Sequence, residues 1–298
     1  MAVNVECVLQ IREGGGPKGE CPVWSVAEQK LYWVDIDGGT LNRFDTESGK
    51  NTVFSLGERI GCFSLRQRGG FVLATASGIW LSDGDPTVRH FLANPEAALP
   101  TNRPNDGRSD PAGRFWYGTM CDPPSASDTP QGSLYILEAG AQPKLAASGL
   151  FVANGLAFSP DGKMLYHSDS FHAVRTIWAC ELDMDGTIVR RREFVTMKGL
   201  PGRPDGACVD SDGCYWSCHI DGGQVVRYTP SGQVDRVIPV PVKWPTMCAF
   251  GGSDLGTLFI TSLRRGGAAA EWPDQPLAGS IFACRPGVTG IPEPKFAG

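Results

Sequence analysis

No apolar run in this chain approaches the roughly 18 to 20 residues that a membrane-crossing helix needs, so no membrane partner is expected. Helical signal is nearly absent as well. Pro and Gly interrupt every window long enough for an amphipathic helix. Concentrated positive charge is missing: the net charge is −5, and Lys and Arg are scattered. Nucleic acid is therefore not an expected partner, because neutralising phosphates takes a basic face. The four histidines, His90, His167, His172 and His219, show no HExxH or other paired spacing, and His167 and His219 read as packing or hydrogen-bonding residues. There is no GxSxG elbow. Gly14-Gly15-Gly16 lacks the Gly-Lys-Ser/Thr of a P-loop and reads as a turn. Met1 to Gln10 has no basic stretch ahead of its apolar residues and carries Glu6 among them, unlike an export signal. None of the ten cysteines forms a CxxC. Cys208, Cys214 and Cys218 fit no strong zinc template and sit in β-like runs, where a thiol packs as a small hydrophobe. Free thiols in a reducing, cytoplasmic setting are the expectation.

What the chain does have is Gly (38) and Pro (23) along its whole length, with no stretch resembling a linker. Apolar content of 41% and charged content of 20% suit a soluble globular protein, and 298 residues suit one large all-β domain over 1–298. One pattern recurs: a short apolar run, a polar Gly turn, a run rich in aromatics, then another turn. It appears at 23–35, 63–75, 107–119, 155–169, 207–219 and 249–261. Turns such as Asp110-Pro111-Ala112-Gly113, Pro160-Asp161-Gly162 and Ser211-Asp212-Gly213 predict hairpins. The copies start near residues 20, 61, 105, 154, 205 and 246, at intervals of 41 to 51 residues. Such a period predicts a six-bladed β-propeller with four-stranded blades rather than a β-sandwich.

In a propeller the first strand of each blade lines the central channel. The six starts read Glu20, Cys62 (or Gly61), Asn105, Asn154, Asp205 and Thr246. Two carboxylates and two amides facing one narrow space repel and lose hydration, and a divalent cation offsets both penalties. Each residue alone is an ordinary turn former; four at matching repeat positions point to one site. An all-oxygen set favours Ca²⁺, Mg²⁺ or Mn²⁺ over zinc. Arg103 lies two residues before Asn105, which places it at the mouth for a polar ligand, or in an inter-blade ion pair with Asp106 or Asp110. Arg203 has the same spacing to Asp205 and is a weaker candidate, and Asp106 reads as a loop brace.

These residues carry a resemblance. Gly19-Glu20-Cys21-Pro22-Val23-Trp24, Asn102-Arg103-Pro104-Asn105-Asp106-Gly107, the run 110–120, Gly132-Ser133-Leu134-Tyr135, Asn154-Gly155-Leu156-Ala157-Phe158-Ser159-Pro160-Asp161-Gly162 and Pro204-Asp205-Gly206 resemble the SMP-30/gluconolactonase/luciferin-regenerating family, in its order. The resemblance implies one channel cation, Ca²⁺ first among Ca²⁺, Mg²⁺, Mn²⁺, Zn²⁺ and Fe²⁺, held by Glu20, Asn154 and Asp205. It implies substrate contacts from Arg103 and Asn105, and a proton-accepting role for Asp205. Where animal members carry an acidic pair this chain reads Cys121-Asp122-Pro123-Pro124, so Asp122 stands in near the substrate, with the loop Asp122 to Pro130 at the rim. The implied activity is metal-dependent hydrolysis of a sugar lactone, of gluconolactone or pentonolactone type, to the aldonic acid. The alternatives are another metal-dependent esterase or phosphotriesterase on the same scaffold, or a non-catalytic calcium-binding propeller.

Overall fold

The turns fix the hairpins first. Asp110 lies between β10 (Asn102–Ser109) and β11 (Phe115–Cys121). Its buried carboxylate accepts hydrogen bonds from the Arg114 backbone N–H (2.9 Å), Arg114 Nε (2.6 Å) and Trp116 Nε1 (2.9 Å). Asp210 repeats the device between β18 (Arg203–Val209) and β19 (Tyr215–Ile220), with the Cys214 N–H (3.0 Å), Trp216 Nε1 (2.8 Å) and Arg227 Nε (2.7 Å). Asp110 thus anchors its own turn and is not the partner of Arg103. Gly113 follows at φ 82°, a left-handed position suited to glycine.

A computed structural model describes residues 3–11, 17–124, 129–265 and 274–298. The Gly14–Gly16 turn and residues 125–128 of the rim loop lie outside the described residues. Every regular element among the described residues is a strand, in six antiparallel four-stranded sheets. Five sheets follow chain order, over 19–55, 60–93, 102–150, 153–196 and 203–239. The sixth joins β22 (Pro245–Gly251), β23 (Thr257–Ser262) and β24 (Ile281–Cys284) to β1 (Glu6–Leu9), which forms its outer edge. The inner strands are β2 (Gly19–Ser25), β6 (Ile60–Leu65), β10, β14 (Ala153–Phe158), β18 and β22. Each packs on the next, and β22 packs back on β2. The fold is a six-bladed β-propeller, as the repeats predict. The closing strand from the N-terminal end is a feature the repeats do not signal.

The core lies between blades. Aromatic pairs bridge five of the six junctions: Tyr32–Phe63, Trp116–Phe158, Tyr166–Tyr215, Trp216–Phe250 and Trp24–Phe259. Such pairs contribute about 0.5–1.5 kcal/mol beyond area burial. At the remaining junction the backbones meet: a Cβ on Gly61 would lie 2.3 Å from the Pro104 carbonyl oxygen.

One end of the channel is covered by the segment 290–298. Gly290 bridges to Asp210, Glu293 pairs with buried Arg108 at 2.8 Å, and buried Phe296 joins the core beside Leu65. All ten cysteines are free, with Cys7 half-buried and the rest buried. No helix among the described residues is long and apolar enough to cross a membrane.

Candidate metal and substrate site

All six inner strands are irregular at the same level. The ladder slips between Glu20 and Val23, Ile60 and Cys62, Pro104 and Gly107, Asn154 and Ala157, Pro204 and Ala207, and Pro245 and Cys248. In five strands two residues oppose one, so each is a bulge, a device that re-aims side chains beside sites. The bulges come in two forms. In β2 and β14 the polar residue, Glu20 or Asn154, is the last paired one, and a left-handed residue follows: Cys21 at φ 48° and Gly155 at φ 66°. In β10, β18 and β22 the polar residue is the first unpaired one: Asn105, Asp205 and Thr246. The starts that look equivalent in sequence therefore differ by one register position.

The structure connects most of the predicted residues. Asp122 Oδ2 accepts from Arg103 Nε at 2.5 Å. Arg103 Nη1 donates to Asn105 Oδ1 at 2.8 Å, and Asn105 Nδ2 donates to Asn154 Oδ1 at 2.9 Å and to the Ala153 carbonyl at 3.0 Å. Asn154 Nδ2 donates to Ser170 Oγ at 2.7 Å, and that hydroxyl donates to the Pro204 carbonyl, next to Asp205. Arg103, Asn105, Asn154 and Asp205 are all buried, and Glu20 is half-buried. Asp106 acts as a brace: its Oδ2 accepts from the Leu156 N–H at 2.8 Å, tying blade three to blade four. Arg203 makes its hydrogen bonds to Asp221, with Nε at 2.9 Å, and to the Ser170 carbonyl at 3.1 Å, rather than to Asp205.

Glu20 and Asp205 have no hydrogen-bond donor among the described residues. Burial, then the charges of Asp205 and Asp106, push the Glu20 carboxyl well above the usual carboxylate range. Burial also pushes Asp205 up to about 8, against the Arg203 charge and with Asp106 and Asp221 adding to the rise. Asp122 is the opposite case. Burial pushes it up, but Arg103, with help from Lys18 and Arg59, holds it below the usual range.

The residues present fit a hard divalent cation. A buried carboxylate, Asp205, and a half-buried one, Glu20, both without donors among the described residues, want a positive charge, and the third donor is pre-aimed. With Nδ2 held by Ser170, the Asn154 amide turns Oδ1 toward Asn105 and keeps one lone pair for a ligand. The candidate set is two carboxylates and an amide, and no three His, Cys, Asp or Glu residues among the described residues group as a metal cluster by themselves.

Sequence reading missed Ser170, Asp221 and Arg59. The first two share a place with Asp122: each follows the last residue of its blade's second strand, β15 (Met164–Asp169), β19 and β11 respectively. Aligning that second repeat position would have found them. Arg59, which donates to Asp122 Oδ2 at 2.8 Å, comes from an inter-strand turn that no repeat position marks.

The chain is similar to known proteins over nearly all its length. It is 48% identical over 283 residues to a 6-deoxy-6-sulfogluconolactonase of Pseudomonas putida, covering 94% of this chain and 95% of the relative. It is 33% identical over 302 residues to regucalcin of Sus scrofa, covering 100% and 99%. Among solved structures, a calcium-binding regucalcin of Agrobacterium tumefaciens superposes with a TM-score of 0.87 at 28% identity, covering 97% and 99%. The family profile described as SMP-30/Gluconolactonase/LRE-like region matches residues 18–264. With its ring, its bulged inner strands and these matches, the chain belongs to the SMP-30/gluconolactonase/LRE-like family.

Proposed function

We propose that this chain hydrolyses an aldonolactone to the aldonic acid with one divalent cation held by Glu20, Asn154 and Asp205. Through its family and its 48% identity to a named lactonase, the chain is an enzyme, a carboxylic-ester hydrolase of the lactonase type. The observation that carries the finer proposal is the donor-free carboxylate pair Glu20 and Asp205 beside the lone pair of Asn154 Oδ1. Ca²⁺ is the first choice, since all three donors are oxygens and a solved relative is named a calcium-binding protein.

A bound divalent cation supplies Lewis-acid chemistry, polarising an ester carbonyl and acidifying water. The chain's own groups do the rest. Arg103 keeps its Nη2 without a partner among the described residues and offers it to a lactone oxygen, while Asp122 and Asn105 hold its plane. Asn105 spends both amide hydrogens on Ala153 and Asn154, so it meets a substrate only through Oδ1. Asp205 takes a proton as water adds to the ester carbon. The ring C–O bond then breaks, and the proton passes to the leaving ring oxygen.

The test is turnover over a panel of neutral and acid-bearing aldonolactones, one of them the 6-sulfo lactone for which the relative is named. The protein is first stripped of metal and then reloaded with Ca²⁺, Mg²⁺, Mn²⁺, Zn²⁺ or Fe²⁺. Turnover is expected to vanish on stripping, return on reloading, and fall at least about 100-fold in Asp205→Asn. Undiminished hydrolysis by Asp205→Asn, or faster turnover of aryl esters or phosphotriesters than of every lactone, would overturn the proposal.

A further inference from the structure

Asp122 carries two guanidinium groups on one oxygen. Arg103 Nε reaches its Oδ2 at 2.5 Å and Arg59 Nη1 reaches the same atom at 2.8 Å. The two arginines are otherwise unlike. Arg103 is 4% exposed and is further tied to the Pro104 carbonyl and Asn105. Arg59 is 44% exposed, and its Nε and Nη2 have no partner among the described residues. One carboxylate neutralises one guanidinium, so the cluster keeps a surplus positive charge. That charge stands beside the site, one residue before β6 and one contact from Arg103. Lys18 also helps keep Asp122 ionised, but its own charge is met by Asp37 at 2.8 Å, so the surplus rests on the two guanidinium groups.

A neutral sugar has only hydroxyls to offer such a charge. An oxyanion matches it better, because a guanidinium with two spare N–H edges takes phosphate, sulfonate or carboxylate oxygens as charge-assisted pairs. Resting on the lactonase reading above, we infer that the site selects an aldonolactone bearing an acidic group remote from its ester, and that Arg59 is the residue that docks this group. Arg103 faces the ester end and Arg59 the acidic end, with Asp122 setting the spacing between the two guanidiniums. The surplus also acts at a distance: a positive mouth draws anions in, and salt weakens the pull.

The experiment reads binding without turnover. Titration calorimetry on Ca²⁺-loaded protein compares gluconate with 6-phosphogluconate and 6-deoxy-6-sulfogluconate; the last two separate phosphate from sulfonate. At about 50 mM salt at least one acid-bearing ligand is expected to bind about tenfold tighter than gluconate, the scale of one charge-assisted contact, with the gap narrowing in high salt. Arg59→Gln should erase the gap and Arg59→Lys keep part of it. In kinetics the same variants should shrink the acid-bearing to neutral ratio of kcat/KM, mainly through KM. Equal binding of all three ligands, or a gap that Arg59→Gln leaves intact, would overturn the inference. A protein that turns over no lactone would sink the lactonase reading, while the binding comparison would still decide the role of Arg59.

Discussion

Ser170 holds its place in the site through one hydroxyl. It accepts from Asn154 Nδ2 and donates to the Pro204 carbonyl, so it fixes which end of the Asn154 amide faces the proposed cation site. Ser170→Ala leaves that amide free to present NH₂ instead of oxygen. We expect Ca²⁺ affinity, read by calorimetry, to fall about tenfold, a loss of the size reported for residues that orient metal ligands, and Ser170→Thr to restore part of it. His167 is a residue of another kind. It is fully buried against Trp178 at 5.1 Å, and neither ring nitrogen has a hydrogen-bond partner among the described residues. Burial, with Arg191 adding, lowers its pKa to about 3 from 6.5. The folded ring stays neutral while the unfolded chain takes up a proton below about pH 6.5. Its contribution to stability is thus present above 6.5 and is lost as pH falls toward 3. Urea unfolding of His167→Phe at pH 5 should show about 2 kcal/mol less acid-induced loss, relative to pH 7.5, than the parent chain.

The inner strand is the element on which the site depends, and its bulge does the aiming. Gly155 sits at φ 66°, and a Cβ there would lie 2.5 Å from the Tyr215 hydroxyl and 2.8 Å from Ser168 Oγ. Gly155→Ala is expected to cost about 2–4 kcal/mol, from left-handed strain plus overpacking. Gly140→Ala is the control: its φ is 73° but nothing lies within 4 Å, so only the strain of about 1–2 kcal/mol applies. Urea midpoints at constant m would check both. The same element shows how far the sequence could be read. Repeat spacing located Glu20, Asn105, Asn154 and Asp205, because a channel-lining strand recurs once per blade. It could not show that Glu20 and Asn154 close a ladder while Asn105 and Asp205 open a bulge. That distinction rests on backbone dihedrals, and Cys21 at φ 48° has no residue-type signature. The pairing of Arg103 with Asp122, rather than with Asp106 or Asp110, was likewise hidden. It depends on where the chain returns after β11, which turn chemistry does not specify.

At the scale of the molecule, the six-bladed ring was legible because each blade is a local hairpin series announced by its own turns. The long-range parts were not. The covering segment 290–298 has no motif, and its anchors, Glu293 on Arg108 and Phe296 beside Leu65, are distant in sequence. The strand β1 is too short to signal its partner, yet it pairs with β24 through Glu6–Ala283 and Cys7–Phe282. That pairing has a consequence in time. A ribosome emits β1 first and its only neighbour in the sheet almost last. At about 5–20 residues per second, the first strand waits some tens of seconds with its backbone groups unanswered, while five blades can close behind it from neighbouring sequence alone. The seam of the ring thus closes only after five blades have been made, and a newborn chain has all but one of its blades before it has a circle.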